Sequence, residues 1–428
     1  MANIYNDEFQ TILDYGRPPN VKKCFPNSKA LIVSGKFIDQ AMLAKGGCMT
    51  IAANGRSSFV IRGVLAAAQR ANAAVIIEIA RSEGGTAAYC PTSLWNMARQ
   101  TDAYMNEMGI TVPVAIHADH FVIKKPEDIE PAKPEIQSLF DCGVTSIAID
   151  ASHMPDDQNL LANIELYPLV PDWAGLETEV GEIKGKFGLS TDEEALFLIR
   201  GLNAHGIFPD WIALNNGTTH GIEESGTGIN VGLTAQIHEA LKPYGVSGAQ
   251  HGTSGNSSDR LQQIAGQTQT TKANVATALQ MISWGVKVND YGNAIMDDEG
   301  NFIKEAGKGI TEENWGKMLA YAKEHGLKGG DFKKLNLPFE SHLLAQPAAV
   351  KDRMVKGVEE FAFTLLTDVF NATDTADLVK KQILDARSHF PEFKAEKIEN
   401  QEDWTREKAM EKASKMDVDK GPDGDWDD

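Results

Sequence analysis

A chain of 428 residues, 42% apolar and 24% charged, has enough material for one large core or two ordinary ones. Its mean hydropathy of -0.28 and the lack of any apolar run of about 18 residues exclude a membrane span. Lys and Arg number 41 against 60 Asp and Glu, a net charge of -19 with no basic cluster, which excludes nucleic acid as a partner on electrostatic grounds. The N-terminal MANIYNDEFQ has neither a basic nor an apolar leader region, so a cytoplasmic protein is expected. Cys24, Cys48, Cys90 and Cys142 stand far apart without a CxxC pair, the pattern of reduced thiols and not of a disulfide framework or a cysteine-built zinc site.

In chain order, the first short apolar run, TIAAN, ends at Asn54. Ser57 or Ser58 then opens a helix that sets Val60, Ile61, Val64, Leu65 and Ala68 on one face. AAVIIEIA spans 73–80, VPVAIHADH ends at His120, TSIAIDASH at His153 and GLETEVG at Gly181. Thr191 precedes a helix over 192–202 whose first turn holds Glu193 and Glu194, as the helix dipole favours. DWIALNNG ends at Gly217, VSGAQHG at Gly252 and GVKVND at Asp290. Eight such runs, roughly 25 to 40 residues apart with helical patterns between them, predict a parallel sheet closed as a (β/α)8 TIM barrel. A Gly- and charge-rich connector at 291–340 follows. In Val350–Phe370, residues Met354, Val358, Phe361, Leu365 and Val369 recur at helical spacing, which predicts a helix packed on the barrel or on a neighbouring subunit. Residues 1–395 read as a single barrel domain with helical additions, and 396–428 as a charged C-terminal extension. The tip of that extension carries six Asp against Lys420 and is expected to be disordered.

In a parallel barrel, chemistry collects at the C-terminal ends of the strands. Those ends carry His117, Asp119 and His120, then Asp150 and His153, then Glu177, Glu179 and Glu182, and after them His220, His251 and Asn289. A histidine alone at a strand end is usually structural. Several at different strand ends, with carboxylates on the strands between, offer the neutral imidazoles that a catalytic zinc ion with an open position requires.

The segments that carry these residues resemble, in order, the motifs of class II, zinc-dependent fructose-bisphosphate aldolases. They are HADH at 117–120, AIDASHMP at 148–155, LETEVGEIKG at 176–185, GTTHG at 217–221, HGTSG at 251–255 and GVKVN at 285–289, with GCMTIAAN and SEGG before them. The resemblance spans about residues 40–372. It implies a cytoplasmic enzyme of glycolysis and gluconeogenesis, a homodimer or homotetramer, acting on a small phosphorylated sugar without nucleic acid or membrane. The reaction would split or form fructose 1,6-bisphosphate through a metal-stabilised enediolate. Tagatose 1,6-bisphosphate is the alternative ketose; a zinc hydrolase or a non-catalytic sugar-phosphate-binding relative on the same barrel are the alternative functions.

Carried over residue by residue, the resemblance implies Zn2+ held by His120, His220 and His251. Asp150 and Glu179 would sit where a second or displaced divalent ion, or a monovalent cation, is held. Asp119 would exchange the proton of the aldehyde oxygen. In the loop EVGEIKGKFGLSTDEE, Glu182 lies nearest the strand end and is the expected proton-abstracting carboxylate. Gly221, Gly252, Thr253, Ser254, Asn289 and Asp290 match segments that bind dihydroxyacetone phosphate, and Ser82 matches a contact to the other half of the substrate. The chain departs from the pattern where Thr253 replaces a glycine, where the family's Asn-x-Asp-Thr reads Asn289-Asp290-Tyr291-Gly292, and where a double glycine reads Lys184-Gly185. No arginine can be assigned to the far phosphate, since Arg353 falls on a helical pattern that suits a solvated face. Lys287, on the eighth run, raises the Schiff-base alternative, which the accompanying histidines disfavour.

Overall fold

The computed structural model describes residues 6–181, 188–217, 228–254, 256–289, 292–297 and 300–416. Strands β1 (Thr50–Asn54), β2 (Val75–Ala80), β3 (Val114–Val122), β4 (Ser146–Asp150), β5 (Gly175–Val180), β6 (Trp211–Leu214), β7 (Ser247–Gln250) and β8 (Thr270–Val275) pair in parallel, each with the next. β8 returns to β1 and closes the barrel. Helices cross between strands as the sequence pattern predicts. Ser58–Ala71 buries Val60, Ile61, Val64, Leu65 and Ala68. Asp192–Ala204 starts in a capping box: the Thr191 hydroxyl accepts from Glu194 N, and the Glu194 carboxylate accepts from Thr191 N at 2.8 Å.

The eighth strand is not where the apolar runs place it. GVKVN over 285–289 lies outside the barrel, where Val286 bridges Lys304 and Val288 bridges Ala294 in antiparallel fashion. The true β8 is TTKANV, whose centre holds a lysine and an asparagine. A barrel strand buried on both faces usually reads as a continuous Val/Ile/Leu run, and this one does not, because its inward face is polar. The connector is likewise a packed unit. Trp284, Phe302, Ile310, Trp315, Phe332 and Phe339 form a hydrophobic cluster of their own beside the barrel, backed by Met354 of the helix Ala348–Thr364.

β7 keeps a glycine at its centre because His238 packs on it. A Cβ at Gly248 would stand 2.2 Å from that ring. At the opposite end from the strand tips, the helix Gly35–Lys45 closes the barrel floor, where a Cβ on Gly35 would meet Ser146 Oγ at 2.8 Å. Lys36 pairs with Asp210 at 2.9 Å on this floor. Asp39, wholly buried, accepts from Thr271 Oγ1 at 2.6 Å and is ion-paired with Lys394. Lys394 comes from a C-terminal strap and also donates to Asp210 O and Ser247 Oγ, each at 3.0 Å. The strap is fastened further on by Glu399, which accepts from Arg200 and Tyr244 at 2.7 Å, and the helix Arg406–Ala413 follows. No helix among the described residues is long and apolar enough to cross a membrane. The four cysteines are free thiols.

Candidate active site

Neighbouring strand residues point to opposite faces, so Asp119 and His120 should not share the barrel mouth. A β-bulge resolves this. β3 pairs His117 with Ser146 and Ala118 with Ile147, then resumes at Phe121 with Ile149, so Asp119 and His120 together oppose one residue of β4. His120 adopts φ 41°, a left-handed conformation uncommon outside glycine, and both side chains reach the same cavity.

His120 and His251 lie with ring centroids 4.3 Å apart. Atoms of Asp119, His120 and His251 able to ligate a metal fall within 4.8 Å of one another, as do those of His120, Asp150 and Glu179. His120 Nδ1 is 3.6 Å from both Asp150 Oδ2 and Glu179 Oε2. His251 Nε2 is held by Glu177 Oε1 at 2.9 Å, which fixes the ring, and Nδ1 lies 3.8 Å from Glu179 Oε1. Burial, then the neighbouring His120, lowers the His251 pKa and favours the neutral imidazole that a metal needs. These nitrogen and carboxylate donors fit a divalent transition-metal ion. His220 lies outside the described residues, as do Glu182, Gly221, Asp290 and Tyr291.

The inside of the barrel below this mouth is ionic. Lys272, on β8 and with no exposed surface, stands 2.7 Å from Glu177 Oε2, 3.1 Å from Glu78 Oε2 and 3.3 Å from Asp119 Oδ1. Burial alone would lower its pKa, but Glu177, Glu78 and Asp119 raise it, so the amine stays protonated. A Schiff-base lysine needs the reverse. Lys287, the lysine considered from sequence, lies off the barrel. Asn274, two residues beyond Lys272 on β8, donates its amide to both oxygens of Asp119 at 3.1 Å. Burial would raise the Asp119 pKa, but Lys272, His120 and His251 hold it below the usual carboxylate range. Burial pushes Glu78 the other way, well above that range.

The cavity over these groups measures about 430 Å³ and is lined by Ser82, Gly252, Thr253 and Ser254 as the sequence predicts. Asn289 is elsewhere: its amide group accepts from Asn293 N at 3.0 Å, and it does not line the cavity. The Asn-x-Asp-Thr pattern falls instead on the end of the true β8, Asn274-Val275-Ala276-Thr277, which restores the asparagine and the threonine hydroxyl and puts alanine at the acidic position. The Thr253 hydroxyl is committed to the carbonyl of Asn274 and is not offered to the cavity.

Sequence reasoning also missed Arg56 and Glu83, buried side chains that face each other across the far wall. Arg56 Nε donates to Glu83 Oε1 at 2.7 Å, Arg56 Nη1 donates to Gln280 Oε1 at 3.0 Å, and Asn54 donates to Glu83 Oε2 at 2.6 Å. The signal was present, since SEGG and the arginine after Asn54 end adjacent strands. Lys328 and Lys333 of the connector complete that side. Arg353 is half-buried, and its guanidinium donates to the carbonyls of Gly309 and Ile310.

Comparison with known proteins agrees with this geometry. The family described as fructose-bisphosphate aldolase class-II matches residues 36–325. A fructose-bisphosphate aldolase of Staphylococcus epidermidis is 33% identical over 130 residues, which cover 29% of this chain and 40% of that protein. One of Streptococcus pyogenes is 28% identical over 204 residues, 42% of this chain and 62% of that protein. The matched stretches thus span less than two thirds of these relatives. Among solved structures, the YdjI aldolase from Escherichia coli K12 superimposes with a TM-score of 0.53 at 18% identity, over 81% of this chain and 99% of that one. Fructose-bisphosphate aldolase from Campylobacter jejuni does so with a TM-score of 0.51 at 17% identity, over 81% and 97%.

Proposed function

Since the chain belongs to the class II fructose-bisphosphate aldolase family, we propose that it is a zinc-dependent aldolase that reversibly splits fructose 1,6-bisphosphate into dihydroxyacetone phosphate and glyceraldehyde 3-phosphate. The observation that carries this reading is the bulge in β3, which brings Asp119 and His120 into one mouth beside His251 and the Gly252–Ser254 segment. His120 and His251, with His220, would hold the ion, whose chemistry is Lewis-acid polarisation of the ketone. Asp119, clamped by Asn274 and Lys272, takes the proton of the hydroxyl next to the breaking bond during cleavage and returns it to the aldehyde oxygen in condensation. Backbone amides of Gly252–Ser254 and the Thr277 hydroxyl suit one phosphate, which fixes the reacting carbons away from solvent. Glu182 is assigned the carbon proton. The test is coupled detection of triose phosphate from fructose 1,6-bisphosphate, with and without a chelator and with tagatose 1,6-bisphosphate in parallel. Cleavage that the chelator abolishes and zinc restores is expected. Cleavage indifferent to the chelator would refute the metal reading, and a preference for the tagatose ester would refute the substrate.

A further inference from the structure

In the proposed mechanism the fully buried Lys272 serves only to clamp Asp119, yet its contacts reach further. Lys272 reaches from β8 to carboxylates on three other strands: Glu78 on β2, Asp119 on β3 and Glu177 on β5. None of the four has more than 1% of its surface exposed. Barrel interiors are ordinarily filled by branched aliphatic side chains, and a buried ionic cluster is seldom more stable than such a filling. Stability therefore does not account for an ammonium at this position. Its contacts lead in two directions. Through the 3.3 Å contact it braces Asp119 Oδ1, the oxygen that Asn274 also holds. Through the 2.7 Å contact it braces Glu177, whose other oxygen fixes His251 Nε2 at 2.9 Å.

We propose that Lys272 is a positioning residue: one ammonium sets the orientation of both the proton-transferring carboxylate and a metal-binding imidazole, so that the two are aligned to each other. Deletion of a group that orients a metal ligand typically costs ten- to a hundredfold in metal affinity, and the same lysine should also bear on turnover through Asp119. The proposal rests on the aldolase reading for its turnover arm and on the metal site for the other.

The experiment compares Lys272→Met, Glu177→Gln and Lys36→Met, the last a control that breaks another buried ion pair, on the barrel floor. Zinc affinity is read by competition with a chromophoric chelator, kcat and KM are read at saturating zinc, and Tm is read for each. Lys272→Met should weaken zinc binding about tenfold or more and lower kcat with KM little changed, whereas Lys36→Met should lower Tm alone. If Lys272→Met does not fold, the nearly isosteric Glu177→Gln carries the metal arm and should weaken zinc to a similar degree. Placed in an Asp119→Asn background, Lys272→Met should cost no further kcat. Unchanged zinc affinity in the variants, or a kcat loss that adds fully to that of Asp119→Asn, would overturn the proposal. A protein that binds zinc yet cleaves no ketose phosphate would refute the aldolase reading, and the zinc arm would still decide the role of Lys272.

Discussion

Asp119 Oδ1 accepts from Lys272 and Asn274 and Oδ2 from Asn274, and the carboxylate lines the cavity with acceptor capacity to spare. Asp119→Asn removes the proton acceptor while keeping the shape, so turnover should fall about 10²-fold or more with zinc content retained, as kinetics and metal analysis on the same sample would report. Equal loss of metal would make it a ligand. His238 shows the opposite kind of buried titratable group, one with no chemistry to do. Burial holds its pKa down to about 4, and its Nδ1 accepts from Gln269 N at 3.2 Å. Because the unfolded chain takes up this proton near pH 6.5 and the folded chain does not, stability is lost as pH falls from about 6.5 to 4 and levels off below. Urea unfolding should show wild type losing about 2 kcal/mol more than His238→Gln between pH 7 and pH 5.

Elements, more than residues, decided how much of the site could be read from the sequence. Asp119, His120 and His251 were legible because each terminates an apolar run, and a run that stops at a polar group marks a strand tip. Lys272 and Glu78 were not, because their side chains point inward along strands and pair with each other, so one interrupts the apolar pattern and the other hides within it. The error at β8 followed, and with it the displacement of the Asn-x-x-Thr site to Asn289. The bulge was foreseeable only as a requirement, since nothing in HADH announces it. The C-terminal strap could not be read at all: Lys394 looks like any surface lysine until its partner Asp39 is seen to be buried. Removing it leaves a carboxylate without its counter-charge, so Lys394→Met should cost about 3 kcal/mol or more in urea unfolding, with kcat unchanged.

The molecule as a whole separates reaction from selection. The proposed metal site lies on strand tips and a bulge within the family-matched region, whereas one side of the cavity comes from the connector, including Lys328 and Lys333 just past that region. The arginine nearest the far half of the cavity is already engaged: freeing Arg56 for a phosphate would strand Glu83 in a buried wall. Discrimination between fructose 1,6-bisphosphate and fructose 1-phosphate should accordingly stay under about a thousandfold in kcat/KM. A larger ratio would mean that the lysines, or residues outside the described set, grip that phosphate firmly. The acidic residues from Asp417 onward lie outside the described residues, and truncation before Asp417 should leave both kinetic constants unchanged.

The floor of the barrel also sets an order of events during synthesis. Asp39 is made early, and its counter-charge Lys394 follows 355 residues later (394 − 39 = 355), a delay of roughly 20 to 70 s at ordinary rates of translation. Through that interval every strand of the barrel can leave the ribosome, while a floor closed before Lys394 arrives holds Asp39 without its counter-charge, supported only by the Thr271 hydroxyl. The stability that the strap lends to the floor is therefore the last contribution to become available to the nascent chain.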